Sequence, residues 1–432
     1  MPKYAISNPI VSNIVYILHS LCSLSRSESA KRVWIKYTSI SINQLENSLQ
    51  HIHDTVSLCN SCYRHIPAIV YESEGEIRIT KRCDIHGEQT QTVERDPEFY
   101  YGLRHRRYEP TFNQILFEAS DRCQLACPHC YHLPDNQVQD RPIDDVIGQL
   151  EPFDRESHPT LAGAEATLRP DFVELVERIR SMGFKSLEVV SNALRFSNRG
   201  FTDACDRAGL SQVHVGMNHW TYQGEKIHNK QLEAIEVLKQ SNIRMGYVGY
   251  TIETLDHVED ILREIERIHD PFKILHYRIR CGSFIGRSSD KQRSYLSALV
   301  AKVKSILGDA VKDAPMDDNP YHVMLKWKDN IVLRLIQWPD VTNIDMEELV
   351  TGPWCQFYDG PITNFVHQAI TRDAFKNMNL TRWDDAPTRY QYRSLWSTHH
   401  HHWKEGWTTK SLTPIKTLDF EQARAKFLTD NK

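Results

Sequence analysis

The sequence predicts an α/β protein: a partial (β/α)6 TIM-like barrel, preceded by a small N-terminal metal-binding unit and followed by a C-terminal α+β extension. Three observations carry this prediction. Between about Asn113 and Leu307, short β-rich runs alternate strictly with amphipathic helical runs, the pattern of βα units around a parallel sheet. Six of the ten cysteines fall into two tight groups, one before that alternation and one after its first strand. Beyond Gly308 the alternation gives way to one hairpin pattern and an aromatic, turn-rich tail. The boundaries that follow are 1–55 for an N-terminal helical segment, 56–105 for the metal-binding unit, 106–307 for the barrel and 308–432 for an extension capping it.

A chain of 432 residues exceeds one small core, and 40% apolar with 10% aromatic residues suffices to fill larger ones, which excludes a disordered chain. The net charge of −4, with both signs mixed, gives no broad field for a nucleic-acid backbone. A basic run at Gly102–Tyr108 reads as a solvated linker. Tight cysteine groups in a large chain favour metal over a disulfide framework, and hence a reducing, cytoplasmic compartment.

The first segment has an apolar stripe at Ile10, Ile14, Leu18 and Leu21, broken by Ser, Asn and His. It is too polar to span a bilayer and lacks a small-residue cleavage site. It reads as a surface-docking helix or as a peripheral membrane contact.

In the second unit, Cys59 and Cys62 are followed by a strand pair folding back through Glu74-Gly75, and then by Cys83 and His86. Two ligand pairs joined by a hairpin suit a closed tetrahedral site for zinc, or for a single iron with the same ligands.

The six barrel strands are marked by QILFEAS, PTLAGAE, SLEVVSNA, QVHVGMN, IRMGYVGYTI and ILHYRIRCG. Between them, one helix shows a stripe of Phe172, Leu175, Val176 and Ile179 and ends at Gly183; another shows Leu232, Ile235 and Leu238. In such a barrel the functional loops follow the C-terminal strand ends. In the extension, HVMLKWKDNIVLRLIQW turns at Asp329-Asn330, and the aromatic tail either covers the barrel mouth or forms core. The tract His399–His402 reads as surface.

Cys123, Cys127 and Cys130 sit directly after the first strand. A four-iron cluster ordinarily takes four thiolates, so three leave one iron open for a small molecule. Buried structural cysteines or part of a zinc site is the alternative.

The C-x3-C-x2-C spacing resembles the signature of the radical S-adenosylmethionine (radical SAM) superfamily. The resemblance implies a [4Fe-4S] cluster whose open iron is chelated by the amino and carboxylate groups of SAM. His129 stands where the family has an aromatic residue, and Tyr131 is the substitute adenine contact. LAGAEATLRPDF resembles the family's Gly-Gly-Glu-Pro-Thr-Leu segment, matched at Gly163, Glu165, Thr167 and Leu168, with Ala164 and Ala166 departing from it. The resemblance implies that Glu165 meets the SAM ammonium; an ordinary helix-start acid is the alternative.

Ser191 and Asn192 occupy the family's Ser/Thr-Asn position near the ribose or methionyl carboxylate. Asn218 ends the fourth strand. Arg278 and Arg280 share a face of the sixth, facing the SAM carboxylate or a structural ion pair. Cys281 is either a hydrogen-atom donor or nucleophile in catalysis, or an inert thiol.

The N-terminal unit resembles the zinc-ribbon or rubredoxin-like extension of tetraether lipid synthases and methylene-folate-dependent pterin methylases. Together these likenesses imply an enzyme that forms a 5′-deoxyadenosyl radical, abstracts hydrogen from an unactivated C–H bond, and makes a C–C bond or transfers a one-carbon group to a small molecule or lipid. A reducing partner such as flavodoxin or ferredoxin is implied as well. A peptide-modifying maturase is the alternative, disfavoured because only Cys355 lies beyond the barrel, and a non-catalytic iron–sulfur or zinc scaffold is the third.

Overall fold

The computed structural model describes residues 49–61, 65–104, 114–127, 158–281, 294–314, 322–328 and 330–337, short stretches between 134 and 156, and residues 343 and 345. The expectations placed on the Ile10–Leu21 stripe, Cys62, Cys130, Tyr131, Cys355 and His399–His402 lie outside the described residues. Those from His51 onward belong to one compact unit. Among them no helix is long and apolar enough to cross a membrane.

Four strands, β1 (Gln50–Leu58), β2 (His65–Ser73), β3 (Glu76–Cys83) and β4 (Gly87–Glu94), make a sheet in that order. The predicted reversal falls at Glu74-Gly75, where both residues take positive φ, 53° and 74°, as a two-residue hairpin turn between twisted strands requires. One boundary moves: residues 50–55, assigned to the helical segment, are strand. Thr55 among them is buried, and pairing with β2 outweighs the local helical pattern.

Helix α1 (Pro97–Arg104) leads to the second sheet. Its strands are β5 (Gln114–Ser120), β6 (His158–Gly163), β7 (Glu188–Ser191), β8 (Gln212–Asn218), β9 (Arg244–Ile252) and β10 (Tyr277–Cys281), parallel and adjacent in chain order. Helices α2 (Ile143–Gly148), α3 (Phe172–Ser181), α4 (Arg199–Ala208), α5 (Trp220–Gln223), α6 (Glu225–Lys239) and α7 (Val258–Ile268) fall between consecutive strands, and α8 (Leu296–Leu307) follows β10. The predicted stripe Phe172, Leu175, Val176 and Ile179 is buried against the sheet. On α6, Ile235 and Leu238 are buried as predicted, and only the first stripe position differs. Gln231 is fully buried while Leu232 is only partly so, because the Gln231 amide has partners inside.

The described part of the extension begins with a hairpin that prolongs the sheet. After β11 (Val311–Asp313), strands β12 (His322–Trp327) and β13 (Ile331–Ile336) form the predicted hairpin, but β13 lies parallel to β10 and prolongs the sheet to nine strands. Val323, Leu325, Leu333 and Leu335 join the core under the helices, and that burial holds the hairpin at the edge of the sheet. Edges β5 and β11 do not pair among the described residues, so the barrel is open.

Candidate functional site

The chain leaves β5 at Ser120 and runs through Cys123 to Cys127 at the C-terminal strand ends. Its path is pinned by side chains. Ser120 donates to Asp140 Oδ1 at 2.6 Å and accepts Arg122 N–H at 3.2 Å, Arg122 pairs with Asp140, and Cys123 N–H donates to Asn136 Oδ1 at 3.0 Å.

Gly163 matters here for backbone approach, though toward the protein rather than a ligand. At φ 114° a Cβ would stand 2.3 Å from Ser120 O, where Ala164 N–H donates at 2.8 Å. Only glycine lets β6 end this close beneath the cysteine loop.

Cys123 is buried and Cys127 half-buried. The Cys123 sulfur accepts Leu125 N–H at 3.3 Å and the Asn192 amide at 3.7 Å; the Cys127 sulfur accepts the Asn218 amide at 3.4 Å. The two amides belong to one chain of bonds. Asn218 also donates to Gln223 Oε1 at 3.3 Å, Gln223 to Gln231 Oε1 at 2.9 Å, and Gln231 to the Asn192 carbonyl at 2.8 Å. Four side-chain amides thus connect one sulfur with the other. N–H donors aimed at sulfur stabilise a thiolate and are the hydrogen bonds that iron–sulfur ligands receive, so this pair fits the cluster.

Glu165 caps the short 3-10 turn Ala166–Leu168, as its helix-start alternative requires, and it is wholly buried. Oε1 accepts Thr167 N–H at 3.2 Å, Thr167 Oγ1 at 2.5 Å and Ser191 Oγ at 2.8 Å, while Oε2 accepts Asn192 N–H at 2.7 Å. A carboxylate has about four acceptor sites, two on each oxygen; three donors share Oε1 and one reaches Oε2. Burial pushes its pKa up, and these bonds pull against that shift. Thr167, Ser191 and Asn192, each named from sequence, meet at this one acid.

Arg280 donates to Thr251 Oγ1 at 3.0 Å beside Asn218, whose cross-strand partner is Thr251. Arg278 lies one layer deeper, its guanidinium carbon 3.6 Å from the centre of the Tyr247 ring. Cys281 ends β10 opposite Ile252.

In the N-terminal sheet, Cys59 and Cys83 are buried and His86 is exposed, with the three ligand atoms within 4.8 Å of one another. His86 Nδ1 lies 3.4 Å from Cys59 Sγ and 3.5 Å from Cys83 Sγ. Bonds of about 2.3 Å to sulfur and about 2.0 Å to nitrogen at a tetrahedral angle give an S···N edge of about 3.5 Å, so these distances fit a zinc site. Gln89 and Ser61 N–H donate to Cys59 Sγ at 3.3 and 3.5 Å, bonds suited to a thiolate ligand.

The sequence reading missed Gln223, Gln231, Asn136 and Asp140. Their only local signal is a polar residue inside an otherwise apolar helical stripe, clear for Gln231 alone.

Residues 117–265 match the radical SAM superfamily, and residues 51–95 match the HMPTM N-terminal zinc ribbon domain. The chain is similar to the 7,8-dihydro-6-hydroxymethylpterin dimethyltransferase of Methanocaldococcus jannaschii, 27% identical over 192 residues, 37% of this chain and 38% of that protein. It is also similar to the PqqA peptide cyclase of Gluconobacter oxydans, 28% identical over 157 residues, 34% of this chain and 43% of that one. Both matches span less than two thirds of the relative's length. Among solved structures, Streptococcus suis SuiB bound to precursor peptide SuiA superposes with a TM-score of 0.41 at 11% identity, covering 66% of this chain and 65% of SuiB.

Proposed function

The chain carries a radical SAM domain at residues 117–265 behind a zinc-ribbon domain at residues 51–95, and on that premise we propose that it is a radical SAM enzyme forming a C–C bond or transferring a one-carbon group. Cys123, Cys127 and Cys130 would hold a [4Fe-4S] cluster, and Cys59, Cys62, Cys83 and His86 a zinc or single iron ion. When bound, cluster and SAM together supply a 5′-deoxyadenosyl radical able to take hydrogen from an unactivated C–H bond. The observation that carries the reading is the amide chain that directs N–H donors at the sulfurs of both Cys123 and Cys127.

The chain's own residues orient and enclose. Asn192 and Asn218 direct N–H groups at the two sulfurs; Glu165 fixes Asn192 by its backbone; Arg280 and Thr251 line the rim beside Asn218. Glu165 acts through Asn192 and Thr167, and its Oε2, which takes a single donor, is the oxygen a SAM ammonium would meet. Cys281, at the end of β10, is the proposed hydrogen-atom donor, and a flavodoxin or ferredoxin the proposed reductant.

Likeness to the dimethyltransferase and to its zinc ribbon supports one-carbon or C–C chemistry on a small molecule or lipid. Likeness to the PqqA peptide cyclase supports a second reading, peptide modification. The test is anaerobic incubation of cluster-loaded protein with SAM and a reductant. 5′-Deoxyadenosine is expected from the wild type and not from Cys127→Ala; its absence from both would overturn the reading.

A further inference from the structure

The parallel pairing of β7 with β8 ends where Ser191 stands opposite Val215. The next residue along each path, Asn192 and Gly216, offers a carbonyl just beyond that last pair, and one side chain from α6 bridges the two. Gln231 Nε2 donates to Asn192 O at 2.8 Å and to Gly216 O at 3.1 Å. The residue has no exposed surface.

Fixing this amide fixes the next two. Carbonyl oxygens only accept, so the end of Gln231 that meets them is the NH2 group, both hydrogens of which are used, and the opposite end is oxygen. That oxygen accepts Gln223 Nε2 at 2.9 Å, which turns Gln223 Oε1 toward Asn218. Gln223 Oε1 then accepts Asn218 Nδ2 at 3.3 Å, and the second hydrogen on that nitrogen serves Cys127 Sγ at 3.4 Å. A flipped Gln223 would set oxygen against oxygen at Gln231 and nitrogen against nitrogen at Asn218. A flipped Asn218 would present an acceptor to the sulfur in place of a donor. Gln223 Oε1 also lies 3.9 Å from Cys127 Sγ, a contact that a thiol can donate and a thiolate cannot, so of the two amides only Asn218 serves the ligand form.

The other sulfur is addressed differently. Asn192 Oδ1 accepts the Leu194 backbone N–H at 3.1 Å, which by itself leaves Asn192 Nδ2 for Cys123 Sγ. Asn218 has no backbone donor of this kind on its side-chain oxygen among the described residues, so its direction is set from Gln231 through Gln223.

We propose that Gln231 is a positioning residue for the Cys127 sulfur: by anchoring on the carbonyls of Asn192 and Gly216 it holds the Asn218 N–H on that sulfur and raises the reduction potential of the cluster bound there. An N–H donor withdraws negative charge from a ligating sulfur and so favours the reduced cluster. Gln231 itself acts only through Gln223 and Asn218. This rests on the reading of Cys127 as an iron–sulfur ligand.

The test is a redox titration followed by electron paramagnetic resonance on the full, cluster-loaded chain, with wild type, Gln231→Met, Gln223→Met, Asn218→Leu and the Asn218→Leu/Gln231→Met pair compared. Gln231→Met is expected to keep its iron and to move the midpoint potential to a more negative value, by at least half the shift of Asn218→Leu. Gln223→Met breaks the same line at a half-buried residue and leaves the two carbonyls their donor, and it is expected to shift the potential in the same direction; should Gln231→Met fail to fold, this variant decides. The pair is expected to be no more negative than Asn218→Leu alone, because the effect of Gln231 passes through that residue. A lowered melting temperature with the wild-type potential in Gln231→Met would make the residue purely structural and overturn the proposal, as would shifts that add in the pair. A wild type without an iron–sulfur signal would remove the ligand assignment and the role of Gln231 with it. A cluster present with both methionine variants unshifted would remove the role of Gln231 alone.

Discussion

The backbone N–H of Asn192 donates to the buried carboxylate of Glu165 at 2.7 Å, while the Asn192 side chain donates to Cys123 Sγ at 3.7 Å. The acid at the end of β6 thereby holds the residue that addresses the cysteine loop. Changing Glu165 to Gln would put an NH2 group against one of four N–H or O–H donors. Leaving a buried donor unmatched costs about 1–3 kcal/mol, so a melting temperature lower by a few degrees is expected, together with weaker SAM binding at equal iron content. An unaltered melting temperature would place the carboxylate outside the network.

Iron at the cysteine loop should number about four per chain in anaerobically purified protein. Cys127→Ala is expected to abolish it, and unchanged iron in that variant would refute the ligand assignment.

Asn218 donates to the Cys127 sulfur from within β8, so Asn218→Leu removes that bond at similar volume. Hydrogen bonds to cluster sulfurs stabilise the reduced state. The variant is expected to keep its iron and show a more negative midpoint potential in an electron paramagnetic resonance titration. An unshifted potential would make the bond incidental.

The N-terminal metal should outlast the cluster. In the Cys123, Cys127 and Cys130 triple alanine variant, metal analysis is expected to find one zinc or iron ion, whose chelation destabilises the β1–β4 sheet, because such sites contribute directly to folding. No metal in that variant would contradict the site.

His219 supplies a pH signature. Its ring stacks on Trp220 and His257, with centres 3.9 and 3.8 Å away, and burial, followed by the charge of His257, holds its pKa down to about 4. The folded value lies below the unfolded one of about 6.5, so the folded state binds the proton less readily. Stability from this group is complete above about pH 6.5 and is lost as pH falls toward about 4. His219→Phe is expected to flatten that part of the melting-temperature profile; an identical slope would assign the acid limb elsewhere.

Much of the architecture was legible locally. Six strands, the Glu74-Gly75 turn, the Phe172–Ile179 stripe and both cysteine groups follow from periodicity and short spacing, properties that neighbours in sequence impose on one another. The same locality explains what stayed hidden. Asn218 and Cys127 are 91 residues apart, and Asn192 and Cys123 are 69 apart; which amide reaches which sulfur is set by the order and register of parallel strands. Gln231 lies inside because two carbonyls, those of Asn192 and Gly216, converge on its amide from other strands. Glu165 carried its identity in the sequence but not its four donors. Residue types and their spacing thus determined which chemistry the chain can host. Strand register, which brings distant polar atoms within hydrogen-bonding reach inside a low-dielectric core, decided which side chains position it.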